Sequence, residues 1–421
     1  MLRSISLAGL VLLSGTSVAL GQGREEGGSF DLTVGDFGLS IGNSVRHNGL
    51  RLNWSDTYLE RVNGINVTFW RPGDDPGGTI NGLAIGGAPA AGRLNGVSIG
   101  LGAVLPGRRS AGVTLAGLAA VSGGDMYGAN FGGLALVAEG DLGWLNAGGL
   151  AVVSEGSIEG LGVGGLAVVS EGGVEGIGLG GLALVSEGGV KGVGLGGLAV
   201  VSEGRVNGIG LGGLAVVSER GISGLSLGGL AVVSDRDITG LALGGLATVS
   251  DRGITGIAAG GLATVADGPF QGIGLGGLAL VADGAFEGIG VGGLALVGDR
   301  RIDGVGLAGL AVVSGGGISG LAATLGAVES ETRVQGIAIG GYKVDAPELQ
   351  GLGISIARTK LGESRGMTVA AYNHIERFQE GLAIGLVNRT RRLQGVQIGL
   401  VNYVGNNPPG LRLLPLVNAH F

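Results

Sequence analysis

From Gly128 to Gly336 a glycine-led phrase restarts every sixteen residues through thirteen successive intervals, and only Trp144 stands where the glycine is due. The residues inside the phrase vary; its length does not. Self-similarity at a short fixed period is the signature of stacked or radial repeat architectures, in which one repeat cannot bury its own apolar face. The same spacing reaches back to Gly112; looser repeats precede it at Gly49, Gly64, Gly82 and Gly96, and repeats of 14 or 15 residues follow at Gly351, Gly366, Gly381, Gly395 and Gly410. Counted with Trp144, the chain carries 24 repeats.

Numbered from the leading glycine, position 2 is Ile, Leu or Val, position 3 is Gly, Ser or Ala, position 4 is usually Leu or Val, and positions 5 and 6 are mostly Gly-Gly. Positions 7 to 10 read Leu-Ala-(Val/Leu/Thr)-Val, positions 11 and 12 read small then acidic, and position 15 is large and apolar, from Ile158 to Val334. Alternation of large and small residues with many β-branched side chains is strand periodicity. A helix is disfavoured, because each of the 98 glycines would cost about 1 kcal/mol relative to alanine in a helix interior. The fold class is therefore all-β. Two architectures fit: a β-solenoid of about 24 short coils whose identical positions stack about 4.8 Å apart, or an antiparallel outer-membrane β-barrel with one strand and turn per repeat.

The constant period favours the solenoid, because barrel loops tolerate insertions whereas an extra residue in a stacked coil disturbs the rows on either side. A barrel also needs a polar lumen and aromatic girdles, but both alternating faces here are apolar or small and the chain has three Trp and five Tyr. One feature points the other way: Leu413, Val417 and the final Phe421 resemble a barrel assembly signal, interrupted by Pro415. In the solenoid, positions 2, 4, 7 and 15 are expected to point inward, with glycines at corners or outside. Leu214 is then expected beside Leu198 and Leu230.

The first residues, MLRSISLAGLVLLSGTSVALGQG, combine a basic start, an apolar run and small residues near Gly21, the layout of a signal peptide spanning 1–21. Residues 22–110 hold irregular, more polar repeats expected to cap the stack, 111–340 the regular repeats, and 341–421 the shorter repeats with a second cap. Net charge is -7 with the charges interspersed singly, so the basic face of a nucleic-acid binder is missing. No Cys is present, which excludes disulfides, thiolate metal sites and a Cys nucleophile.

Chemistry is sparse. Position 12 carries Glu139, Glu155, Glu171, Glu187, Glu203, Glu219, Asp235, Asp251, Asp267, Asp283 and Asp299, which stacking would gather into one acidic ridge. Calcium, an oxygen-seeking cation, is the metal such a ridge invites. A solvated turn is the simpler reading, since each repeat offers one or two carboxylates and Arg220, Arg236, Arg252 and Arg300 directly follow their acids and neutralise part of the row. No metal ligand and no cofactor site is assigned. Thr248 and Thr264 at position 9 would lie on an apolar stripe if that row faced outward. His47, His374 and His420 are scattered, read as surface residues, and GIGLGG matches to the dinucleotide fingerprint lack a βαβ context. No catalytic constellation stands out, so no enzymatic activity is expected.

The C-terminal phrases GLAIGLVN and GVQIGLVN and the ending LPLVNAHF place Asn388 and Asn402 where the chain turns, a residue that tolerates left-handed backbone. These phrases resemble the secreted bacterial surface-repeat family known from Leptospira, over 381–421 and in the looser form NGxxxG over 81–100. The central block departs from that pattern, with Gly-Gly-Leu-Ala-Val-Val in place of the Asn-ended phrase. The resemblance implies export, association with the cell surface or outer membrane, and no known enzymatic activity; it transfers no functional residues. The expected role is structural or interactive at the cell envelope, at the surface, outer membrane or periplasm, with other envelope proteins or copies of itself as partners. A calcium- or glycan-binding extracellular module is the third expectation.

Overall fold

The computed structural model describes residues 28–34, 37–71 and 77–421. The expected signal peptide lies outside them. Among the described residues every regular element is a β-strand, from Ser29–Val34 to Leu413–His420. The chain forms two compact bodies, one ending at Gly210 and one beginning at Leu211, and each is a β-solenoid of stacked parallel coils.

The sixteen-residue period is the ladder register. In the first body Ile158 pairs with Val174, Gly160 with Gly176 and Gly164 with Gly180, all parallel. In the second body Ile238 pairs with Ile254 and Gly240 with Gly256 in the same way. The Leu230 N–H donates to Leu214 O at 2.7 Å, the neighbour expected of stacked coils. An antiparallel meander would give different partners, so the barrel alternative is overturned. The ladders total about 22 turns rather than 24. Gly410, counted as a repeat start, stands outside the glycine column with nothing near it. Antiparallel pairing occurs at the two ends, where Ser29–Val34 meets Phe37–Gly42 and the strand Leu413–His420 returns along residues 395–403. The latter strand holds Leu413 and Val417 of the residues that resembled a barrel signal, and Phe421 lies just beyond it.

Within a coil the alternation of buried and exposed residues breaks at three places. Consecutive exposed or half-exposed residues occur at position 16 to 2, at positions 6 to 8 and at positions 12 and 13, as in Glu175–Ile177, Gly165–Ala167 and Glu171–Gly172. Strand residues alternate between two faces, so each break is a corner and the coil has three sides: positions 14–16, 2–5 and 8–11. The position-1 glycine makes the first corner. From Gly49 to Gly395 these glycines have φ between +96° and +138°, a region open only to a residue without Cβ. A Cβ on Gly272 would also lie 2.0 Å from Gly256 O of the preceding coil.

The third corner is built by position 11. Ser170 Oγ accepts the Gly173 N–H at 3.0 Å and donates to Gly173 O at 2.7 Å, and Ser186, Ser250 and Ser314 repeat the contact three residues on. These hydroxyls are buried, where an unpaired backbone amide would be expensive. Ala266 lacks the hydroxyl in the coil where Pro269 supplies no N–H to satisfy.

The interior is narrower than the sequence suggested. Of the four positions expected inside, only position 15 points in: Ile158, Val174, Phe270 and Phe286 are fully buried. The other inward places belong to position 3 (Gly162, Ala242, Ala258), position 5 (Gly164), position 9 (Val168, Leu184, Thr248) and position 11. Positions 2, 4 and 7 point outward, which corrects the expectation. Three sides converge within one sixteen-residue coil, so one large side chain from position 15 and one from position 9 fill the section. A Cβ on Gly178 would already meet Leu184 Cδ1 at 2.4 Å. The widest side chains select the smallest partners: Phe270 and Phe286 stack with ring centroids 5.1 Å apart, and position 3 beside them is Gly274 and Gly290.

The ends use polar interiors. Arg51, at position 3 of an N-terminal coil, is fully buried and donates through Nη1 to Asp56 Oδ1 at 2.7 Å and Asn66 Oδ1 at 2.8 Å. Burial lowers the Arg51 pKa, and the charge of Asp56 opposes that shift. In the C-terminal coils the Asn of each Leu-Val-Asn phrase turns inward. Asn373 Nδ2 donates to Asn388 Oδ1 at 2.8 Å, and Asn388 Nδ2 donates to Asn402 Oδ1 at 2.7 Å. These residues form a buried amide ladder, and their φ values are not left-handed.

Candidate interaction surface

Because small residues take the interior, large aliphatic residues are displayed. Position 7 places one leucine per turn on the second corner, Leu134 to Leu198 in the first body and Leu214 to Leu310 in the second, each with roughly half its surface exposed. Position 2 is comparably open, with Ile289 at 45%, and Leu275 and Ile339 at position 4 are exposed as well. The side formed by positions 2–5 carries no charged residue from Leu225 through the coil of Ile398. Small residues at positions 5 and 6 hollow this side into a shallow trough, lined in the first body by Leu115, Phe131, Gly132, Gly133 and Val163 and near the end of the second by Ile384, Gly385, Ile398 and Gly399.

The side at positions 8–11 turns only the smaller Ala and Val outward, half-exposed at Ala167 and Val169, and polar groups occupy position 16 and the third corner. Position 16 carries paired side chains between coils: Lys191 with Glu175 in the regular block, and an amide ladder from Asn95 through Asn81 and Asn63 to Asn48 at 2.7 to 2.8 Å. The acidic residues of position 12 follow one another along the third corner. Glu139, Glu155, Glu171, Glu187 and Glu203 do so in the first body, and Glu219, Asp235, Asp251, Asp267, Asp283 and Asp299 in the second; all are exposed. Among the described residues none of the eleven is in an ion pair, so the following arginines do not neutralise them by contact. Among the described residues no three Asp, Glu or His side chains are gathered in the way a bound metal ion requires.

Thr248 and Thr264 are inward, their hydroxyls donating to Ala259 O at 2.7 Å and Leu275 O at 2.6 Å. The apolar stripe exists, but on other positions than theirs. His47 is buried, with Nε2 2.9 Å from Gly38 O, so it is not a surface residue. His374 is half-buried beside Tyr372, and partial burial followed by the charge of Arg389 lowers its pKa. His420 Nδ1 lies 2.7 Å from Asn407 Oδ1. The structure keeps the three histidines in separate surroundings.

Trp144 is the one residue of the glycine column that carries a side chain. Its φ of +73° is the left-handed value open to L-residues, below the +116° and +96° of Gly128 and Gly160 on either side. The indole is 78% exposed. Beside it the Tyr127 ring covers Gly143, with Arg109 Cζ 5.1 Å from the ring centre. Desolvation, then Asp125, Asp141 and Glu159, raise the Tyr127 pKa. The signal for this site in the sequence is the single interruption of the glycine series.

Compared with family models, curated proteins and solved structures, the chain matches none.

Proposed function

We propose that this protein is an exported, non-enzymatic repeat protein of the bacterial cell envelope whose work is to bind other macromolecules along its length. The observation that carries this reading is the exposed, uncharged aliphatic side at positions 2–5. Exposed apolar patches beyond a few hundred Å² mark contact surfaces in soluble proteins. The layout of residues 1–21 supports export, and the Leu-Val-Asn phrases of 381–421 support kinship with secreted surface-repeat proteins. Reactive side chains are few and separate, and the serines of position 11 are committed to the corners.

Expression in a Gram-negative host, fractionation and mass spectrometry of the N-terminus test the proposal together. The expected product begins near Gln22, co-sediments with the envelope and is released by alkaline carbonate, as a peripheral protein is. Recovery of an unprocessed chain in the cytosolic fraction would overturn it.

A further inference from the structure

In the second body the side at positions 2–5 runs through twelve coils, from the one led by Gly224 to the one led by Gly395. With a rise of about 4.8 Å per coil and about 3.3 Å per residue across four residues, its area is about 750 Å². That exceeds the roughly 300–600 Å² of the largest apolar patch on a typical monomer. Two such faces together hide about 1,500 Å², the size of a standard specific interface. We propose that this side is a homodimer interface on which a second copy of the chain packs face to face. The proposal rests on the reading of the protein as an interaction module and names its partner.

Three observations select a second copy. The first is shape. Ile and Leu at position 2 and Leu, Ile and Val at position 4 form ridges one coil apart, beside the trough of positions 5 and 6. Only another parallel stack repeats at the same spacing, so ridges meet troughs along the whole length, as identical sheets do in dry zipper interfaces. Two-fold pairing of one patch with itself also closes, which limits growth. At the end of the stack the last strand continues the same surface: Leu416, exposed and at φ +65°, lines the trough with Ile384 and Ile398.

The second is charge. The acidic corner at positions 12 and 13 lies across the coil from the side at positions 2–5. Two copies packed through that side keep their rows of Asp235 to Asp299 apart, despite a net charge of -7 each. The third concerns lipid as the alternative occupant. A membrane-facing surface carries Trp or Tyr at its margins and Lys or Arg on its flank. Along the coils led by Gly224 to Gly320 this side and its margins hold no Trp, Tyr, Lys or Arg: the position-16 column reads Thr239, Thr255, Gln271, Glu287, Asp303 and Ser319, and the second corner carries only Leu, Gly and Ala, while Tyr342, Lys343, Arg358 and Arg365 stand at the margins of the later coils alone.

Sedimentation equilibrium on the purified full chain reads the outcome. The expected mass is twice 41.1 kDa. The variant Ile257→Lys/Ile273→Lys/Ile289→Lys, all outward at position 2, is expected to weaken association at least about a hundredfold with an unchanged far-UV circular dichroism spectrum. Thr239→Lys/Thr255→Lys/Gln271→Lys on the neighbouring polar side is expected to stay dimeric. Since the chain has no cysteine, Val305→Cys gives a second reading that needs no disruptive change: it is expected to yield a dimer with a short bismaleimide, and Asp303→Cys is not. A monomeric wild type, a triple lysine variant that still dimerises, or a Val305→Cys chain that stays uncrosslinked would overturn the proposal. So would a wild type that stays monomeric and floats with phosphatidylcholine vesicles, which assigns the side to lipid. None of these results bears on N-terminal processing or envelope fractionation, so the functional reading stands or falls separately.

Discussion

Replacing Gly304 by alanine puts a methyl group where the ladder has no space. Gly304 leads its coil with φ +117°, and its Cβ would lie 2.2 Å from Gly288 O, about 1 Å inside ordinary contact. Holding an L-residue at that φ costs about 1–3 kcal/mol, and relieving the contact stretches ladder hydrogen bonds worth about 1 kcal/mol each. The expected loss is about 3–4 kcal/mol at that coil. Gly306, two residues along the same strand Arg301–Ala308, is the control. Its φ is ordinary and its nearest would-be neighbours, side-chain atoms of Leu296 and Val312, are 3.6 Å away. Alanine occupies the equivalent place at Ala242, Ala258, Ala322 and Ala338. Gly306→Ala is therefore expected to stabilise by about 0.5–1 kcal/mol, through a less flexible unfolded chain and a buried methyl. Repeat arrays open locally, so the assay is native-state amide exchange followed by mass spectrometry over peptides spanning 296–312. Faster exchange in Gly304→Ala with equal or slower exchange in Gly306→Ala is expected. Equal effects of the two substitutions would refute the assignment of the column to the coil's first corner.

Ser170→Ala leaves the buried Gly173 N–H without its acceptor, and a lowering of local stability by about 1–3 kcal/mol is expected in the same exchange experiment. Trp144→Gly restores the column and is expected to raise the thermal midpoint slightly, because relief of about 1–2 kcal/mol of left-handed strain exceeds glycine's added chain entropy of about 0.5–1 kcal/mol; a fall would show that the indole packs. The lowered pKa of His374 means that the unfolded chain binds its proton first as pH falls. Its contribution to stability is thus full above 6.5, the unperturbed value, and is lost as pH falls through the lower folded value. An NMR titration midpoint below 6.5 that rises in Arg389→Gln checks this sign. Removing calcium with a chelator is expected to leave the melting curve in place, because the position-12 carboxylates are presented singly.

The sequence makes the stacking legible and misjudges the faces. A period that survives every substitution in the turns means identical positions side by side, and Gly160 against Gly176 realises it. The columns at positions 1 and 12 were readable for the same reason. The orientation of Ile177 or Leu166 was not. In an ordinary strand large apolar residues mark the buried face, and here both alternating sets are apolar or small, so the rule of hydrophobic alternation selects the wrong one. His47 and the Leu-Val-Asn asparagines were misread for a related reason: the polar interiors of the terminal coils depend on partners in a neighbouring coil, Gly38 O for His47 and Asn402 for Asn388.

Repetition alone thus determined that the chain stacks parallel coils, where each coil bends at glycine, and that the acids of each body run in one file. Which residues fill the core, and therefore what the protein shows to its surroundings, was decided only in three dimensions. Three sides closing within sixteen residues leave a cross-section that admits Ile158 and Val168 and little else. The remaining aliphatic side chains are left on the outer surface.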